Sequence, residues 1–219
     1  MKNDKKNVWM GESLIKKIFK LMLKLLLLVL LIGIVALGVR NYFILKDVHK
    51  YDEVVATAVE KYGIPEYKDL ASAIIYTESK GRSIDLMQSS ESRYGEAGQI
   101  ENRSESIDAG VSFLAQSLEA AKEAGCDLDT GIQAYNFGLD YIDYVAENGG
   151  KNSLKLAESY SKEVLAPQLG NEEQTTYRYW GIFSLFYNGG FLYHNGGNIF
   201  YAKNVQWNQW KYQATNFLF

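Results

Sequence analysis

The chain of 219 residues is 47% hydrophobic, 22% charged and 14% aromatic, which fits one globular domain with an attachment and excludes a disordered chain. Charge is uneven: residues 1–24 carry seven Lys against Asp4 and Glu12, whereas residues 25–219 carry 16 Lys and Arg against 24 Asp and Glu. The acidic remainder argues against nucleic acid as the main partner. One Cys (Cys126) and two His (His49, His194) exclude an intrachain disulfide framework and leave little for a metal site, so no metal or cofactor is expected.

Leu25 to Val39 is a 15-residue run without a charge, extended by Ile18, Phe19 and Leu21 to Leu23 on one side and by Tyr42 to Leu45 on the other. Lys20 and Lys24 interrupt the left flank but can snorkel to headgroups. The whole is long enough to cross a hydrocarbon core of ~30 Å as one helix. Three segments are predicted: a basic cytoplasmic tail at 1–17, a transmembrane anchor at 18–45 and an extracellular domain at 46–219. The Lys excess before the apolar run sets that orientation. The rival reading is a cleaved signal peptide, for which Ala36-Leu37-Gly38 offers a small-x-small site.

The remainder reads as helices with little strand. Val54, Val55, Ala58, Val59 and Tyr62 share one face of a helix over 51–62, which Gly63 and Pro65 stop. Asp69 is a candidate cap for a second helix, in which Leu70, Ala73, Ile74 and Thr77 repeat at helical steps up to Glu78. Residues 82–105 lack a sustained period and read as a long ordered loop or short hairpin. A helix starting at Ser106 runs to Gly125. Thr130 can cap residues 131–137, a short helix carries Tyr141, Ile142 and Val145, and Ser153 opens a helix through Leu165 that Pro167 stops. From Thr175 onward aromatic residues crowd the chain, interrupted by the turn signals Asn188-Gly189-Gly190 and Asn195-Gly196-Gly197, with a possible helix over 198–212. These aromatics complete the core of the helical body or, for some of them, form a wall on which sugar rings stack.

The chemistry concentrates between Tyr76 and Ser92. Glu78 ends an apolar helix, where the dipole disfavours negative charge; partial drying adds to this, so the group stays protonated and can serve as a general acid. Asp85 follows in the polar loop beyond Gly81. A chain that turns back at Gly81 can face the two carboxyls across a cleft, the arrangement glycoside hydrolysis uses. On spacing alone, a Glu before a glycine cap and an Asp in a loop are equally ordinary surface features.

Glu78-Ser79-Lys80-Gly81, the run Asp85 to Ser92, and Gly131-Ile132-Gln133-Ala134-Tyr135-Asn136-Phe137-Gly138 together resemble the CwlT-type bacterial lysozyme-like domain, the pneumococcal vaccine antigen A-like family of cell-wall muramidases of Gram-positive bacteria. Tyr187-Asn188-Gly189-Gly190 and Asn195 to Ala202 are similar to the tail of antigen-type members, so the resemblance covers about residues 48–212. It implies a mainly α-helical, lysozyme-like domain related to goose-type lysozymes and lytic transglycosylases. Glu78 matches the general acid and Asp85 the second acidic residue of the muramidase branch. Gln88 and Ser89 match polar positions lining the cleft. Tyr135 and Asn136 match the element opposite the acid, where Tyr135 is expected to bond to Glu78 or to close the sugar site. The implied partner is the N-acetylmuramic acid–N-acetylglucosamine strand of peptidoglycan, cleaved by hydrolysis. The alternatives are a lytic transglycosylase on the same bond and a non-catalytic glycan binder.

Bifunctional relatives carry a second peptidase domain. The chain ends at Phe219 with only Cys126, His49 and His194 to build a Cys/His site, so glycan cleavage alone is expected. His194 reads as a turn residue and Cys126 as a small core residue. The residues give no oligomeric state.

Overall fold

The computed structural model describes the backbone of residues 2–219 and the side chains from Lys16 onward. Met1 and the side chains of residues 2–15, on which the basic tail falls, lie outside the described residues. Two compact units are resolved, residues 1–44 and 45–219. Helix α1 (Lys2–His49) makes up the first. Its stretch Lys16–His49 is long and apolar enough to cross a membrane, and none of its most apolar window is buried in protein.

The second unit is helical, with one small antiparallel pair. It begins with the last turn of α1, where Leu45 and Val48 are buried, and continues into α2 (Asp52–Lys61). A 3-10 turn at Pro65–Tyr67 leads into α3 (Lys68–Glu78). Asp69 lies in the first turn of α3 and not at its cap, because the Pro65 turn feeds the helix directly. Every residue from Leu70 to Tyr76 is buried. The 3–4 spacing marks one face of α3, yet packing covers all faces, as expected of a central helix.

The segment after α3 contains the short helix α4 (Ser90–Tyr94). Helix α5 (Arg103–Glu123) starts three residues earlier than Ser106, because Asn102 Oδ1 caps the Glu105 N–H at 2.9 Å. Helix α6 (Leu128–Phe137) is capped by Asp127, whose Oδ1 accepts from the Thr130 N–H at 3.0 Å and the Thr130 hydroxyl at 2.6 Å. Thr130 is therefore the capped residue, and the expected cap is reversed. Helices α7 (Asp140–Glu147) and α8 (Leu154–Tyr160) follow, the latter capped by Ser153 as its position suggests. The chain then widens into a π turn at Ser161–Leu165 and closes with the single turn α9 (Ala166–Gln168). Pro167 does not stop it at once: the helical run passes through the π turn before it and ends only after Gln168.

Strand β1 (Thr176–Arg178) pairs with β2 (Phe191–Tyr193), with Tyr177 opposite Leu192, and the short helix α10 (Ile182–Tyr187) fills the connection. Helix α11 (Tyr201–Thr215) packs along α3, and a 3-10 turn covers Asn216–Leu218. The aromatic segment divides. Phe200, Tyr201 and Tyr212 are buried, whereas Phe186, Trp207, Trp210 and Phe217 are exposed. Phe137, Tyr141, Ile142, Val145, Tyr160 and Leu192 form a core into which half-buried Cys126 packs. His194 directly follows β2, with its ring tilted on Tyr177.

Lys80 and Gly81 are both left-handed, at φ 56° and 73°. They reverse the chain after α3. Gly81 also approaches the Asp47 carbonyl so closely that a Cβ would lie 2.8 Å from its carbon. Gly81→Ala therefore combines backbone strain with a clash against backbone. We expect a stability loss of about 1–3 kcal/mol, read as a lower urea midpoint; an unchanged midpoint would refute the close approach.

Candidate functional site

The reversal at Gly81 places the residues after α3 beside its end. Asp85 Oδ1 accepts from the Ser106 hydroxyl at 2.6 Å and the Ser89 N–H at 2.9 Å, and Oδ2 accepts from the Ser90 N–H at 3.1 Å. The carboxylate thus ties the start of α4 to α5. Leu86 and Met87 are fully buried. The Met87 N–H donates to Ser106 Oγ at 3.0 Å, and its carbonyl accepts from the Tyr135 hydroxyl at 3.0 Å. Gly110 of α5 makes room for this: a Cβ there would sit 2.6 Å from Met87 Cβ and 2.9 Å from the Tyr135 oxygen.

The end of α3, this loop, the end of α6 and the Asn195–Gly197 turn enclose a cleft of about 560 Å³, within the usual range of about 300–1,000 Å³ for ligand clefts. Of the six residues singled out from the sequence, Glu78, Asp85, Gln88, Tyr135 and Asn136 line it. Gln88 is exposed, in a left-handed conformation, and donates to the Asp85 carbonyl at 3.0 Å. Asn136 spends Oδ1 on the Asn198 N–H at 2.7 Å, which fixes the turn across the cleft.

Two expectations need correction. Ser89 does not line the cleft: it is buried, and its hydroxyl donates to the Ser106 carbonyl at 2.9 Å, because the loop turns inward there to begin α4. Of the two roles expected of Tyr135, the bond to Glu78 is not made, since its hydroxyl holds Met87, while its place in the cleft lining is kept. The partner of Glu78 is Tyr201 at the start of α11, whose hydroxyl donates to Oε1 at 2.6 Å. The Tyr201 and Tyr135 rings lie nearly parallel, with centroids 6.2 Å apart. In the sequence Tyr201 is one aromatic among many, 123 residues from Glu78. Glu91 and Asn195 also line the cleft, inside motifs that assigned them no role, and so do Phe113 and Leu165, which no motif marks in the chain.

Burial raises the Glu78 carboxyl above the ordinary carboxylate range, and the charge of Asp85 adds to it; the Tyr201 bond and Lys80 pull the other way. Burial likewise pushes the Tyr135 and Tyr201 phenols far up, with Glu78 contributing to both, so both keep their protons and can donate. The site therefore presents a desolvated carboxyl whose anion is disfavoured by burial, with the Asp85 carboxylate held by fixed donors beside it. No group of three or more His, Cys, Asp and Glu that could hold a metal ion occurs among the described residues.

Comparison with known proteins agrees with this architecture. A family model described as lysozyme-like matches residues 45–209. The pneumococcal vaccine antigen A homolog of Streptococcus pyogenes serotype M1 is 51% identical over 140 residues, covering 64% of this chain and 70% of the relative. The bifunctional muramidase/DL-endopeptidase CwlT of Bacillus subtilis strain 168 is 36% identical over 116 residues, 53% of this chain and 34% of the relative. A crystal structure of a protein described as similar to lipoprotein, NLP/P60 family, from Staphylococcus aureus subsp. aureus Mu50 superposes with a TM-score of 0.68 at 32% identity. That likeness covers 75% of this chain and 52% of the Staphylococcus chain, so this chain spans about half its length. With three quarters of its residues inside one family model, the chain belongs to the lysozyme-like family.

Proposed function

We propose that residues 45–219 form a peptidoglycan muramidase that cleaves the N-acetylmuramic acid–N-acetylglucosamine strand, with Glu78 as general acid. The observation that carries the reading is a desolvated carboxyl, raised toward its acid form, opening into a cleft in a lysozyme-like fold. Likeness to a relative named as a muramidase supports the choice of substrate. Glu78 gives its proton to the glycosidic oxygen as the carbon–oxygen bond breaks. The sugar becomes oxocarbenium-like, and water adds to the anomeric carbon. Asp85 supports the water or the cationic sugar. Gln88 and Asn136 offer amides to N-acetyl and hydroxyl groups.

One observation favours a second reading, the lytic transglycosylase. Both oxygens of Asp85 are already held by protein donors, which suits a carboxylate acting through its field and its loop better than one that activates water. Glu78 would then work alone, and the 6-hydroxyl of the muramoyl residue would replace water through its proximity. Mass spectrometry of wall digests separates the two, since reducing muramic ends follow hydrolysis and anhydro-muramic ends follow transglycosylation. We expect reducing ends. Glu78→Gln should cut wall clearing by at least ~10²-fold while leaving the fold intact. Near-normal clearing by a folded Glu78→Gln variant would remove Glu78 from the reaction.

The pH profile tests the electrostatics. A general acid must be protonated, so activity falls as pH rises through the Glu78 pKa. Tyr201→Phe removes a bond that stabilises the anion and should move this alkaline limb to higher pH. Asp85→Asn removes a repulsive charge and should move it to lower pH. Shifts in the same direction, or none in either variant, would contradict the assignment.

The N-terminal helix completes the proposal: an uncleaved single-pass anchor with the cleft on the wall side of the membrane. Its length and apolarity support the span, and the Lys excess before it supports the orientation. Full-length protein should stay in the membrane after salt extraction and be open to external protease. A soluble product beginning near Val39 would establish the signal-peptide reading instead.

A further inference from the structure

Outside the cleft the body carries a second unusual surface. Trp207, Trp210 and Leu218 follow one another at three- and eight-residue steps along one side of α11 and the turn after it. Trp207 and Trp210 stack with ring centroids 4.9 Å apart and are 46% and 56% exposed. Trp207 also lines an apolar groove with Ile182 and Phe186, and Phe186 is 89% exposed. Large aromatics this exposed and this contiguous mark an interaction surface and are not needed for folding.

We propose that this face docks on the headgroup region of a lipid bilayer containing anionic lipid. Three observations select that occupant. Charge is the first: residues 175–219 contain Arg178, Lys203 and Lys211 and no Asp or Glu, whereas residues 46–174 contain twelve Lys and Arg against twenty-four Asp and Glu. Only this part of the body is attracted to an anionic surface, and Lys203 lines the groove itself. Two carboxylates stand beside the face, Glu158 accepting from the Tyr187 hydroxyl at 2.8 Å and Asp129 from the Gln206 amide, and both keep their charge.

The second is composition. Indoles and phenyl rings beside cations suit the boundary between headgroups and acyl chains. The groove has too few polar groups to recognise sugar hydroxyls, being lined mainly by Leu154, Ile182, Phe183, Phe186 and Trp207. A second copy would bring like charges together.

The third is reach along the chain. His49, the last residue of α1, stacks on Tyr212 and on Phe219, at 4.3 and 4.5 Å between centroids. It lies four residues beyond Leu45, about 6 Å of helical rise. Within the second unit the end of α11 therefore lies against His49, a residue only four positions along the chain from the apolar segment. This proposal rests on the anchor reading above.

The test uses the full chain carrying Trp9→Phe and Trp180→Phe, which leaves Trp207 and Trp210 as the indoles. It is reconstituted in vesicles of equal parts phosphatidylglycerol and phosphatidylcholine, with or without bromine near the top of the acyl chains. We expect bromolipid to quench the indoles. Adding Phe186→Ser and Lys203→Glu should lower the docked-to-undocked ratio by at least about fivefold, while cleavage of soluble glycan fragments persists. If the chain floats with the vesicles after carbonate washing but bromolipid leaves the indoles unquenched, docking is overturned and the anchor stands. If the chain does not float, the anchor reading fails and docking with it. Shielding from iodide that grows with protein density, or appears only on adding glycan, without bromolipid quenching, identifies a second copy or a wall strand and also overturns the proposal.

Discussion

Desolvating the Glu78 carboxyl disfavours its anion, and the Tyr201 hydroxyl 2.6 Å away offsets only part of that effect. The surrounding fold answers to this balance. A carboxyl that must be half-dry needs a helix whose every other side is covered, and α3 is buried from Leu70 to Tyr76. The donor must come from an element that cannot drift. Tyr201 meets that condition because α11 is fastened at further points: the Asn208 amide donates to Thr77 Oγ1 of α3 at 2.9 Å, the Gln213 amide to Asp69 of α3 at 2.9 Å, and the Tyr212 hydroxyl to Asp52 of α2 at 2.6 Å. A buried phenol far from its own ionisation stays a donor over the whole range around neutral pH.

The loop after Gly81 shows how a polar, aperiodic segment becomes a rigid wall. Its order comes from four bonds that reach outside it or back across it: the Asp85 carboxylate to Ser106 and to the start of α4, the Met87 N–H to Ser106, and the Met87 carbonyl to Tyr135. Ser106 serves two of these at once, which is why it sits inside α5 and not at its cap. Gly110 is needed where it stands because Met87 and Tyr135 meet over its bare Cα. A side chain there would push the loop, and with it Asp85, away from Glu78.

Helices with a clear face and a chemically obvious end are legible in the sequence. Glu78 at the close of α3, the stop at Gly63 and the Ser153 cap all follow from local rules. Local rules also produce the errors. Ser106 and Thr130 have the chemistry of helix caps, but Asn102 and Asp127 lie a few residues earlier with stronger acceptors and win. Ser89 looks like a cleft residue in a hydrophilic stretch, yet the direction of a loop side chain depends on the elements beneath it. Tyr135 was legible as a site residue through its motif, but its bond to Met87 depends on the register between α6 and the loop. Tyr201 was out of reach: nothing within 123 residues of sequence says which of fifteen clustered aromatics meets the acid.

The aromatic segment owes its dual character to one helix. On α11, Tyr201, Asn208 and Tyr212 point to α3 and fix the acid, while Lys203, Trp207 and Trp210 point away from it. Because α11 is held to α3 by side-chain bonds at both ends, from Tyr201 to Glu78 and from Gln213 to Asp69, its outer face cannot move without carrying Tyr201 along. A surface contact on that face would therefore orient the cleft as a rigid part and leave the Glu78–Tyr201 geometry as it is. On the proposed reading, presenting the cleft to a glycan strand requires the orientation to be set without disturbing the proton on Glu78, and a stiff helix between the two meets both demands.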